Sequence, residues 1–173
     1  LEKKADDSKS EAAVGHDPAK VQECLTQYQA AYPEAKTVLD AAIAKAKAEK
    51  TQVFLHFGAP WCGWCHKLED WMDQPAVAVL LAKEFVDCKI DEDRMKDAKA
   101  IEKHYGKSEG GIPWFCFISS DGTKGPDSDA AKGNIGFPSE PAEVEHFKTM
   151  LNKSCKTLTS AEIETICATL GKK

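Results

Sequence analysis

Val53-Phe54-Leu55-His56-Phe57-Gly58-Ala59-Pro60-Trp61-Cys62-Gly63-Trp64-Cys65-His66 is an apolar, aromatic-rich run followed at once by two cysteines with two residues between them. The run reads as a strand, and the cysteines stand where a strand hands over to a helix. A thiol attacks a disulfide only as its thiolate, so such chemistry needs one exposed sulfur of lowered pKa and a second sulfur within reach to resolve the mixed disulfide. At a helix start the unpaired backbone N–H groups and the positive end of the dipole stabilise a thiolate on Cys62, while Cys65 lies a turn deeper. Cys62 is therefore read as the nucleophile and Cys65 as the resolver.

Three other readings compete for the same residues. Cys62-x-x-Cys65-His66 matches the attachment signature of c-type haem, with Met72, Met95 or Met150 as a sixth ligand. The upstream strand, the later Ile112-Pro113 and the lack of a helical cytochrome pattern speak against it. Zinc needs two further Cys or His at matching spacing, and the sequence has no second pair of that kind. Two structural cysteines are disfavoured because a short glycine-containing turn is a poor place to bury them. No cofactor or metal is expected.

Ala59-Pro60-Trp61-Cys62-Gly63-Trp64-Cys65-His66-Lys67, the strand before it and the later Gly111-Ile112-Pro113-Trp114 together resemble the thioredoxin superfamily, in its extracytoplasmic branch with Trp inside the pair. The resemblance spans roughly residues 40–151. It implies a thioredoxin-like α/β fold, with a mixed central sheet flanked by helices, and a cis bond before Pro113 beside the active-site sulfurs. It also implies thiol–disulfide exchange on protein substrates. An extended substrate segment would be held beside Pro113 by strand-like hydrogen bonds, with Ile112 in the groove and Trp61, Trp64 and Trp114 as its apolar rim. Packing into the scaffold is the competing role for each Trp, more so for Trp61 than for Trp64.

The chain departs from the family at one point. Six residues before its first active-site cysteine thioredoxin carries a buried Asp that accepts the resolver's proton, accompanied by a Lys on the next strand. Those positions here hold His56 and Asp87. Burial lowers a His pKa and a carboxylate raises it, so His56 is a candidate proton acceptor for Cys65, against the alternative of a core His bonded to a backbone carbonyl.

The same constellation serves reduction, oxidation or isomerisation according to redox potential and partner. Reductase is the first reading, recharged by a separate redox partner protein. A non-catalytic binding module with a structural disulfide is the alternative from another class.

Composition bounds the remainder. The 173 residues, 42% hydrophobic and 29% charged, suit one globular domain with extensions. A formal charge of −5 leaves nucleic-acid binding without its electrostatic footprint. No span is long enough to cross a bilayer. The opening residues lack the apolar core of a signal peptide, and a start at Leu1 reads as a processed product. Seven cysteines are many for a reducing cytosol, which points outside the cytoplasm, to a bacterial periplasm. Beyond the active pair, Cys24, Cys88, Cys116, Cys155 and Cys167 form an odd set; Cys155 and Cys167 could each bond the other or Cys24, while Cys88 and Cys116 read as inert core thiols.

Three parts are expected: a flexible tail over 1–17, a thioredoxin-like domain with an N-terminal helical extension over 18–151, and a C-terminal helical extension over 152–173. Asp17-Pro18 reads as a helix start, with Val21, Cys24, Leu25 and Tyr28 on one apolar face. Further helices are read over 34–50, 62–72, from 76, over 91–104, from the cap at 139–141 to about 151, and after Thr159-Ser160. Strands are read over 51–57, 85–90, 114–118 and 134–137, and 125–132 as a slack or partner-facing loop.

Overall fold

The computed structural model describes residues 17–171. The tail read over 1–17 falls, but for Asp17, outside the described residues. Residues up to Ala31 and from Tyr32 onward form two separate units. In the first, helix α1 (Pro18–Ala30) starts where Asp17 Oδ1 accepts the amide of Ala19. The apolar face read there is not buried at Val21 or Cys24, both of which are exposed. Cys24 carries no disulfide.

The second unit is built on a four-stranded sheet of order β2-β1-β3-β4, from β1 (Gln52–Gly58), β2 (Phe85–Asp91), β3 (Trp114–Ile118) and β4 (Lys124–Asp127). β1 runs parallel to β2 and antiparallel to β3, which is antiparallel to β4. All seven residues of β1 are buried, because helices cover both faces. Side chains alternate across a strand, so Val53, Leu55 and Phe57 meet one layer and Phe54 the other. The first layer holds α2 (Ala35–Glu49) and α5 (Ala98–Tyr105), packed through Ala42, Ala46 and Ile101. The second holds α3 (Gly63–Met72), α4 (Pro75–Leu81), α6 (Pro141–Ser154) and α7 (Ser160–Ala168), around Phe54, Phe115, Phe117 and Phe147. Glu140 opens α6 and Thr159 opens α7, each in a reciprocal capping pair with the glutamate at the third helical position.

Three expectations need correction. The helix read over 91–104 begins only at Ala98. Asp91 takes the amides of Asp93 and Arg94 on its carboxylate and pairs with the Arg94 guanidinium at 2.5 Å, and Asp97 turns left-handed at φ 65°, so the chain spends these residues on turns. The stretch 125–132 is not slack: it contains β4 and the first strand of the hairpin formed by β5 (Asp129–Ala130) and β6 (Gly133–Asn134). An edge strand tolerates Pro126, and Gly125 lies so close to β3 that a Cβ there would stand 3.1 Å from the Phe117 carbonyl oxygen. The strand read over 134–137 is reduced to its first residue, and Ile135 and Phe137 pack into the core instead.

Candidate functional site

β1 ends at Gly58, the chain turns over Ala59-Pro60-Trp61, and α3 begins, placing both cysteines at the C-terminal edge of the sheet. Cys62 is the N-cap of α3 and is joined to Cys65 by a disulfide. Its Sγ accepts the Cys65 amide at 3.1 Å and stands 3.7 Å from the Ile112 carbonyl oxygen. The Ile112–Pro113 bond is cis.

In the disulfide form Cys62 is not exposed as expected. It is 5% accessible and Cys65 1%, because the N-cap folds the sulfur back under Ala59 and Ile112. Burial therefore does not separate a redox pair from a structural bridge here. The sulfur nearer the surface lies on a helix N-terminus, with the Cys65 backbone N–H donating to it.

The three rim tryptophans part company. Trp64 is 54% exposed and stacks on Phe137 with ring centroids 6.4 Å apart, and the Lys67 ammonium lies 4.8 Å above its ring. Trp61, read as part of the rim although packing competed more strongly for it than for Trp64, is the most exposed of the three at 70%, and its indole N–H donates to Asp93 at 2.7 Å. Trp114 does not line a groove. As the first residue of β3 it faces the α2–α5 layer, fully buried against Phe57, with its N–H on Asp129.

Beside the sulfurs runs a groove of about 180 Å³, lined by Trp64, Ile112, Pro113, Asn134, Phe137 and Glu143. Asn134 and Phe137 are contributions that sequence reasoning missed. The Asn134 side-chain amide donates to the carbonyls of Gly111 (3.1 Å) and Pro113 (2.9 Å), fixing the loop that carries Ile112.

His56 projects from β1 toward the α3 side, opposite Leu55 and Phe57. It is buried, and its Nε2 lies 2.9 Å from Asp87 Oδ1 on β2, not on a backbone carbonyl. Both line a polar cavity of about 150 Å³ behind α3, together with Glu69, Met72, Asp73 and Lys89. His66, the residue of the haem-like string, turns its Nε2 to the Pro60 carbonyl at 2.8 Å. Among the described residues no group of three or more His, Cys, Asp or Glu side chains could hold a metal ion. Among them, too, no helix is long and apolar enough to cross a membrane.

The other cysteines are free thiols. Burial pushes Cys88 and Cys155 up to about 12 and Cys167 up to about 11, and raises Cys116 further still. None of the bridges considered among Cys24, Cys155 and Cys167 is formed.

A family profile described as thioredoxin-like matches residues 34–120. An uncharacterized protein of Caenorhabditis elegans is 31% identical over 107 residues, covering 56% of this chain and 14% of that protein. Spermatogenesis-associated protein 20 of Homo sapiens is 27% identical over 125 residues, 69% of this chain and 15% of that protein. The chain thus spans about a seventh of the length of these relatives. Among solved structures, a disulphide isomerase from Xylella fastidiosa Temecula1 superposes with a TM-score of 0.51 at 23% identity, over 78% of this chain and 88% of that one. That likeness is one of fold.

Proposed function

Because this chain belongs to the thioredoxin-like family, we propose that it is a thiol–disulfide oxidoreductase acting on protein disulfides, running as a reductase. The observation that carries this is the Cys62–Cys65 disulfide at the N-terminus of α3, with the Ile112 carbonyl beside Cys62 Sγ. Reduced Cys62 attacks a substrate disulfide and forms a mixed disulfide, expelling one substrate thiolate. Cys65 gives up its proton and attacks Cys62 Sγ, the second substrate thiolate leaves, and the enzyme is left oxidised. A separate redox protein returns the two electrons. Pro113 and Ile112 bound the groove in which the substrate strand lies, and Trp64 with Phe137 forms its apolar wall. Trp61 offers a second exposed ring at the rim. His56, bonded to Asp87 in the polar cavity behind α3, carries the resolver's proton toward solvent.

The number of cysteines and the Trp inside the pair favour a site outside the cytoplasm, such as a bacterial periplasm. Insulin turnover with dithiothreitol tests the activity: a structural bridge leaves the rate at background. The measured reduction potential of the Cys62–Cys65 couple tests the direction, since a strongly oxidising value overturns the reductase assignment in favour of an oxidase or isomerase.

A further inference from the structure

The β5–β6 hairpin and the first turns of α6 enclose between them a cleft of about 570 Å³. Asn134, Ile135 and Glu143 line both this cleft and the groove beside the sulfurs, so the two form one trough that passes the Pro113 loop. Small side chains keep the cleft open, Ala130 and Gly133 on the hairpin and Ala142 on α6. A methyl group placed on Gly133 would meet nothing within 4 Å. Ile135 lines the cleft and packs into the core beneath it. Along α6 the cleft runs from Glu140 to Thr149, roughly 14 Å at the helical rise, which is the length of about four residues of extended chain. Its charges are unequal. Glu140, Glu143 and Glu145 line it from α6 against Lys132 from the hairpin, and His146 Nε2 donates to the Asp127 carbonyl at 2.9 Å. Glu143 is engaged at the start of α6, where its Oε2 accepts the amides of Ser139 and Glu140. Glu145 is exposed and, among the described residues, makes no ion pair; Lys148, three residues on, pairs with Glu164 instead.

We propose that the cleft between the β5–β6 hairpin and α6 is a second stretch of the substrate site, which takes the extended polypeptide flanking the attacked cysteine and favours Lys or Arg in it. This rests on the oxidoreductase reading and names the class of protein disulfide within it. A substrate segment lying beside Ile112 and Pro113 has to continue somewhere, and the trough past Asn134 is open to it. A long basic side chain lays its methylene stem on Ala130, Ala142 and Ile135 and sets its charge beside Glu145. The length of the trough places that residue within about six positions of the cysteine. An acidic flank meets Glu140 and Glu145 as like charges and is turned away. The contact lies at the rim, in water, so it sets preference among substrates more than tight affinity.

The test uses the full chain, reduced, with short peptides that are each joined to a second copy through one cysteine and differ only in carrying Lys, Ser or Asp near it. At low salt the lysine peptide should be opened about tenfold faster than the aspartate peptide, the sum of rim contacts worth up to about fivefold each. In 1 M salt the difference should vanish, because the screening length falls to about 3 Å. Glu145→Lys should reverse the order of the peptides. Asp40→Lys makes the same change of charge on α2, in the opposite layer, and should keep the wild-type order, which separates the cleft from the overall charge of −5. Ala142→Trp, filling the cleft from an exposed position, should bring the lysine and aspartate rates together. Equal rates for all the peptides in the wild type, or an unchanged order in Glu145→Lys, overturn the cleft and leave the oxidoreductase reading in place. Anisotropy of labelled cysteine-to-serine peptides on the oxidised protein reads binding without exchange. If no disulfide is opened, yet the lysine form binds more tightly than the aspartate form and Glu145→Lys cancels that preference, the oxidoreductase reading fails and the cleft stands as a site for basic peptide.

Discussion

The backbone N–H of Cys65 donates to Cys62 Sγ across 3.1 Å, at the first turn of α3. Once the disulfide opens, that donor and the positive helix end both favour a thiolate on Cys62 and none on Cys65. Reduced protein treated with iodoacetamide at mildly acidic pH should be alkylated on Cys62. Cys88, Cys116, Cys155 and Cys167, raised by burial, should stay silent. Cys62→Ser should abolish exchange, and Cys65→Ser should accumulate mixed disulfides through Cys62. Mass spectrometry that finds the label mainly on Cys65 would reverse the two roles.

His56 lies behind the same helix with Nε2 2.9 Å from Asp87 Oδ1. It should act on the proton that Cys65 gives up during resolution. His56→Ala is expected to slow resolution roughly tenfold, less than the 10²–10⁴ of a base acting directly, and to leave the initial attack by Cys62 unchanged. Equal slowing of attack and resolution would make His56 a packing residue only.

The strand of apolar residues, the redox pair, the helix after it and the capping residues of α6 and α7 were legible in the sequence, because each is a local pattern. The rim was not. Trp114 and Trp64 look alike as letters, and it is the place of Trp114 in a strand buried on both faces that sends it into the core, while α3 presents Trp64 to the groove. Asn134 sits in a two-residue strand with no pattern of its own, and its role depends on a hairpin folding back on the Pro113 loop.

Asn134 holds both carbonyls that bracket Ile112-Pro113. Asn134→Ala leaves them without that partner and should loosen the groove wall. The KM for a protein disulfide is expected to rise about tenfold, or ~1.4 kcal/mol, within the range of one net hydrogen bond. Reaction with a small aromatic disulfide, which needs no strand-like contact, should hold its rate. Parallel losses on both substrates would assign Asn134 to general scaffolding.

Glu84 ties the C-terminal helices to the sheet. One carboxylate oxygen takes the Gln52 amide at 2.8 Å, and the other takes the backbone N–H of Lys156 at 2.9 Å and the N–H and hydroxyl of Thr157 at 2.7 and 2.6 Å. Gln52 in turn donates to the Ser154 carbonyl. Burial alone would raise this carboxyl, and the bonds from Thr157, Gln52 and Lys156 outweigh it, leaving Glu84 below its usual value. A carboxyl depressed on folding adds stability that is fully present above its unfolded pKa and is lost as pH falls through the folded one. Thermal unfolding of the wild type should therefore weaken steeply in acid, starting near the ordinary glutamate value of 4.5. Glu84→Gln should cost ~2–3 kcal/mol at neutral pH, the range for hydrogen bonds to a charged group, and lower Tm by roughly 5–10 °C. Its Tm should also fall less steeply below that pH, so the two curves approach each other in acid. Parallel curves for wild type and variant would mean that the acid sensitivity arises elsewhere and that Glu84 is not the group tying residues 154–157 to the sheet.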